Sequence, residues 1–110
     1  MAYDEALAGR LRDHLDGEES LTERKMFGGL AFLIGGNMAV AASSQGGLLL
    51  RCDPAETAQL CEQPHAEPFV MRGKAMEGWL RVDPEAVATG AELARWADVG
   101  VAYARSLPPK

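Results

Sequence analysis

The sequence predicts an α+β two-layer fold, α-β(3)-α-β(2)-α, with helices on one face of an antiparallel five-stranded sheet. Two observations predict it. First, the stretch Arg24–Cys52 contains the apolar runs Leu30–Ile34, Met38–Ala42 and Leu48–Leu50, each of strand length, with almost no charge between its ends. Turn signals separate the runs: Gly35-Gly36-Asn37, then Ser43-Ser44-Gln45-Gly46-Gly47. Gly and Asn accept the positive φ of tight hairpins, so this punctuation reads as an antiparallel meander. Second, segments with helical periodicity stand at both ends of the chain, and sheets whose helices segregate in this way belong to the two-layer class.

The first helix is expected over about Tyr3 to Asp16. Leu7, Leu11 and Leu15 recur at four-residue spacing with Ala8 beside them, and Gly17 supplies a stop. The first strand is expected to begin near Thr22 and to run through Met26-Phe27-Gly28-Gly29 into Leu30–Ile34. Two glycines inside a strand pattern point to a bulge or to close approach of another backbone. Strands two and three complete the meander. Asp53-Pro54-Ala55-Glu56 is a helix start, with Asp as cap and Pro at the first helical position, and Pro64 ends that helix near Glu62. Phe69–Met71 and Trp79–Val82 are the last two strands, joined by the turn-rich Arg72–Gly78. Asp83-Pro84-Glu85 starts a short turn or the last helix. Thr89-Gly90-Ala91-Glu92 is a capping box, and Leu93, Trp96, Ala97, Gly100, Tyr103 and Leu107 form the apolar face that follows.

With 110 residues, the chain is read as one domain, residues 1–110. No stretch approaches the roughly 18 apolar residues of a membrane span, and the charged N-terminus is unlike a secretory signal. A cytoplasmic location and no membrane partner are expected, and the two cysteines do not form a disulfide framework. The net charge of −5 argues against broad phosphate-backbone binding. The charge is uneven, however. Asp53–Glu67 holds four acids and no Lys or Arg, whereas Pro68–Val82 holds three bases and one acid.

No catalytic constellation is legible. Cys52, Cys61 and His65 are the only soft-ligand set, but zinc requires a fourth ligand and Pro64 separates two of these three. His14 sits beside the apolar stripe of the first helix, near its C-terminal dipole. The glycines lack phosphate-loop spacing. No catalytic, cofactor-binding or metal-binding residue is therefore assigned. Arg24, Lys25, Arg72 and Lys74 are candidate anion or partner contacts, with Phe27 and Trp79 near enough in sequence to supply stacking. The apolar runs carry hydrophobic residues on both parities, so either the helices wrap further or the outer sheet face meets a partner, a homodimer being the favoured form.

At Arg24-Lys25-Met26-Phe27-Gly28-Gly29, followed by an apolar strand, Gly36, Met38 and the block Arg72-Gly73-Lys74-Ala75-Met76-Glu77-Gly78-Trp79, the sequence resembles the TfoX N-terminal domain family. The final Arg105–Lys110 extends the likeness over essentially the whole chain. The resemblance implies a two-layer α/β domain with an antiparallel sheet. Met26, Phe27, Gly28, Gly29, Met76, Gly78 and Trp79 match its motif positions, and their expected role is maintenance of the fold. Full-length TfoX and Sxy competence regulators carry a second, C-terminal domain and act beside a cyclic-AMP-responsive activator, so a stand-alone N-terminal domain is expected here. The expected function is a small non-catalytic regulatory module acting through protein contacts, in transcription or competence control. Direct nucleic-acid contact through the basic residues is the alternative, and a small-molecule binder or enzyme is the third reading.

Overall fold

The structure is a computed structural model that describes residues 4–26, 29–43, 46–63 and 65–108. Its sheet has six strands, not five: β1 Leu21–Met26, β2 Gly29–Ile34, β3 Asn37–Ala42, β4 Leu48–Arg51, β5 Ala66–Met71 and β6 Lys74–Val82. Helices α1 (Glu5–Leu15), α2 (Thr57–Leu60) and α3 (Gly90–Ser106) complete it, with single 3-10 turns at Pro54–Glu56 and Pro84–Val87.

The extra strand comes from dividing the long first strand. Leu21 pairs with Ile34 and Met26 with Gly29, so the chain reverses between Met26 and Gly29 and the two halves lie side by side. Phe27 and Gly28 fall outside the described residues. Gly29 does approach another backbone closely, since a Cβ there would meet the Ala42 carbonyl. The second correction lies at the other end of the sheet. Of the turn-rich Arg72–Gly78, only Arg72 and Gly73 form the turn, both at positive φ (55° and 78°), and β6 already begins at Lys74. Such a pair of left-handed residues gives the two-residue hairpin whose twist suits antiparallel strands.

All strand pairs are antiparallel, in the order β1-β2-β3-β4-β6-β5. The helices cover one face. Leu7, Leu11 and Leu15 of α1 and Leu93, Trp96, Ala97, Val101 and Ala104 of α3 pack onto Phe32, Val40, Leu48, Leu50, Leu80 and Val82. The face of α3 turns toward Val101 and Ala104, leaving Tyr103 and Leu107 half-buried. Gly100 lets α3 lie directly on β3, because a Cβ there would strike the Ala39 carbonyl. Asp4 caps α1 by accepting hydrogen bonds from Ala6 N (2.9 Å) and Leu7 N (3.2 Å), and Thr89 caps α3 by accepting from Glu92 N (3.2 Å).

The opposite face is neither bare nor covered by helices. Ala31, Leu33, Met38, Ala41 and Leu49 form a second buried cluster there, against which Phe69 of β5 and Trp79 of β6 pack. The sheet closes this face with its own last hairpin. The bare apolar face that pointed to a partner is therefore not present. Val70 is the large hydrophobic side chain that stays exposed among the described residues.

Candidate functional site

The sheet order decides which candidate residues meet. Arg24 and Lys25 lie on β1, one edge of the sheet, whereas Arg72 and Lys74 flank the turn that links β6 to the opposite edge strand, β5. Strand spacing of roughly 4.8 Å sets the two edges on the order of 24 Å apart along the sheet. Strand direction separates the pairs further. Lys25 is level with Leu30, Ala42, Leu48 and Val82, while the turn lies beyond the other end of the sheet, past the level of Arg51 and Trp79. The basic set does not gather into one patch.

It is nevertheless distinct. Arg12 forms a two-pronged pair with Glu23, both hydrogen bonds at 2.8 Å, which holds the Glu23 carboxyl below the usual carboxylate range. Arg105 reaches Glu18 at 2.7 Å, Arg81 reaches Glu67 at 3.4 Å, Arg95 donates to Gln63 at 2.6 Å, and Arg10 donates to the Ala88 carbonyl at 3.3 Å. The Arg51 guanidinium lies 5.4 Å from the ring centroids of both Trp79 and Tyr103. Arg24, Lys25, Arg72 and Lys74 are exposed, and each lacks an ion-pair or hydrogen-bond partner for its side chain among the described residues.

The arm formed by β5 and β6 has a fixed base. β4 ends at Arg51, whose pairing partner is Trp79, so Phe69–Met71 and Lys74–Met76 pair only with each other in a projecting hairpin. At its base Gly78 (φ 85°) donates from its N–H to the Thr57 hydroxyl at 2.8 Å, and its carbonyl accepts from Cys52 N at 2.8 Å. A side chain at Gly78 would press within 3.2 Å of the Cys52 carbonyl and the Pro54 ring. The motif glycine thus bends β6 and ties it to the segment before α2. Trp79 packs on the second cluster, and half-buried Met76 lines an open groove of about 240 Å³ between the arm and α2. The side chain of Met26 and all of Phe27 and Gly28 lie outside what is described.

No local signal marks Thr57, which is hydrogen-bonded to a residue 21 positions away, or the placement of Arg51 between two rings. Val70 was legible only as part of a strand, since its exposure follows from how far the arm projects. Cys52 and Cys61 are free thiols, and burial pushes the pKa of each up. His65 (φ 68°) stands instead between Asp83 and Glu85, at 3.5 and 3.9 Å, and His14 meets Asp98 at 2.9 Å. Among the described residues no three His, Cys, Asp or Glu side chains are grouped to hold a metal ion. A larger groove of about 500 Å³ runs beside α3, past Asp53, Arg95, Asp98 and Tyr103. Glu56 also lines it; its other charged groups are engaged, with Asp53 accepting from Ala55 N, Asp98 meeting His14 and Arg95 binding Gln63.

The motif residues that the structure describes thus pin the arm, fill the second cluster and place β1 against β2. The family model for the TfoX N-terminal domain matches residues 13–104. The chain belongs to that family. Its match spans every strand and all of α2, together with the last turn of α1 and most of α3. No curated protein and no solved structure matches the chain.

Proposed function

We propose that this TfoX N-terminal domain is a small non-catalytic regulatory module of the cytoplasm that works by protein contact, in transcription or competence control. One observation carries the reading. At the arm tip, exposed Val70 stands beside Arg72 and Lys74, cations without a partner among the described residues, on a hairpin anchored at its base. Apolar surface flanked by uncompensated charge suits protein contact, where the apolar part supplies affinity and the charges supply register. Family membership supports a regulatory role of this kind.

The test is affinity capture from native lysate, split into nuclease-treated and untreated halves, with the wild type beside an Arg72→Glu/Lys74→Glu variant. A protein recovered after nuclease treatment by the wild type and lost with the variant is the expected result. Recovery of none, or equal recovery by both, would sink the reading.

Arg24 and Lys25 favour a second reading, direct nucleic-acid contact along the β1 edge. Such binding weakens steeply with salt and loses slope when Lys25 is reversed to Glu. The net charge of −5 and the separation of the two basic pairs weigh against it.

A further inference from the structure

The sheet has two outer edges, β1 and β5, and they are built differently. On β5, His65 accepts from Asp83 N (2.9 Å) toward β6, and successive residues face alternate ways, so Ala66 and Pro68 turn their backbone groups outward. Pro68 has no N–H to offer a further strand, and a bulge breaks the pairing between Pro68 and Phe69. Proline and a bulge both keep a sheet edge from recruiting another strand.

β1 carries neither. Its six residues include no proline, and its register with β2 runs unbroken from Leu21 to Met26. Ser20 accepts from Gly35 N (3.1 Å), so Ser20, Thr22, Arg24 and Met26 are the residues whose backbone groups face β2. The N–H and C=O groups of Leu21, Glu23 and Lys25 therefore point away from the sheet, where β1 has no neighbouring strand among the described residues. Thr22, Glu23, Arg24 and Lys25 are all exposed.

Charged side chains ordinarily guard an open edge. On β1 their order instead matches a second copy of the same strand. A two-fold axis perpendicular to the sheet at Arg24 sets two β1 strands antiparallel. Glu23 of each copy then stands directly opposite Lys25 of the other, and both residues present outward backbone groups, so each such pair is also a hydrogen-bonded pair. Opposite charges across neighbouring strands are stabilising. Glu23 already accepts from Arg12, but a carboxylate has about four acceptor positions, which leaves room for a lysine. Placing the axis at Glu23 or at Lys25 would set that residue against itself and lose both opposite-charge pairs. Arg24 is the like-charge contact of the favoured register, on the face of Ala31 and the second cluster, away from Glu23 and Lys25.

We propose that β1 is a homodimer edge, at which two copies join β1 to β1 about a two-fold axis at Arg24 into one continuous sheet of two six-stranded halves. The β5–β6 arms then lie at the two far edges and stay displayed, so this inference stands independently of the arm contact proposed above.

Sedimentation velocity over a concentration series tests it on the full chain, with circular dichroism to verify folding. The wild type is expected to shift reversibly from monomer to dimer. Glu23→Lys and Lys25→Glu each set like charges across both pairs and are expected to weaken association about tenfold or more. Mixed in equal amounts, these two variants regain opposite charges at both pairs and are expected to form a heterodimer. A folding defect in either would not be repaired by mixing. Arg24→Cys is expected to give a disulfide-linked dimer under oxidised glutathione, read on a non-reducing gel, because residues at the axis lie within disulfide reach. Thr22→Cys, on the same face but away from the axis, is expected to remain unlinked. A wild type that stays monomeric throughout overturns the proposal, as does a mixture that fails to associate or linkage through Thr22→Cys equal to that through Arg24→Cys. Arg72→Glu/Lys74→Glu is expected to dimerise like the wild type, and loss of its dimer would move the contact to the arm and overturn the assignment to β1.

Discussion

The central strands and the β5–β6 arm are built by opposite rules. β2 and β3 are buried at every residue, with helices on one face and the second cluster on the other. The arm is exposed along most of its length, and β6 changes from exposed to buried residues as it passes Gly78. The same sheet thus serves as a two-sided core at its centre and as a displayed hairpin at one edge. Stability resides in the centre, and surface available for contact resides at the edge.

The sharpest test of this contrast compares neighbouring leucines on β4. Leu50 faces the helices and Leu49 the second cluster, and both are at least 96% buried, with relative exposures of 0% and 4%. If both faces are true cores, Leu49→Ala and Leu50→Ala each cost about 2–5 kcal/mol, read from urea or thermal unfolding. A one-sided sheet would lose that much at Leu50 and less than about 1 kcal/mol at Leu49.

Those leucines also show what the sequence could and could not disclose. Strand-length runs, turn glycines and the capping residues of α1 and α3 were readable because each is a local signal. The β1–β2 division was not, because Thr22–Lys25 is polar and lacks alternation, while Gly28-Gly29 reads equally well as a bulge or as a reversal. The apolar residues on both parities were visible, yet the cover on the second face comes from Phe69 and Trp79, which lie far along the chain from Ala31 and Leu33. The same limit held for the candidate site. Arg24, Lys25, Arg72 and Lys74 were singled out by type alone, and they are the described cations left without partners. Whether they meet depends on strand order, which composition and spacing do not encode.

Thr57 joins the two regions and ranks next in effect. Thr57→Val keeps the shape but removes the acceptor for the buried Gly78 N–H, which costs about 1–3 kcal/mol. Thr57→Ser, which keeps the hydroxyl, restores most of it. Amide exchange supplies a second readout. Gly78 and its arm neighbours are expected to exchange faster in the Val variant while the amides of β2 and β3 are unchanged. Equal acceleration throughout would mean that the arm and the centre open as one unit.

A smaller effect is expected where α1 meets the other edge strand. The pair Arg12–Glu23 lowers the Glu23 pKa through its hydrogen bonds. Because the folded pKa lies below the unfolded value, the contribution is fully present above the unfolded carboxylate pKa of about 4.3, and it fades as pH falls through the folded value. The guanidinium is half exposed, so solvent screening limits the pair to about 0.2–1 kcal/mol. Arg12→Ala should therefore lower stability slightly at pH 7 and converge on the wild type in acid. An undiminished difference at low pH would assign its effect to packing of the Arg12 stem.

The least change in folding stability belongs to the arm tip, where the contrast with the centre is greatest. Val70 is 57% exposed, and Arg72 and Lys74 engage no described neighbour, so their replacement removes little that the folded monomer holds. Val70→Ser, or Arg72→Ser with Lys74→Ser, should shift the unfolding free energy by less than about 0.5 kcal/mol in dilute solution, where association is absent. The diagnostic is an unfolding free energy that these replacements leave nearly unchanged. A large loss at every concentration would place the arm in the folding core and remove the distinction between the two parts of the sheet.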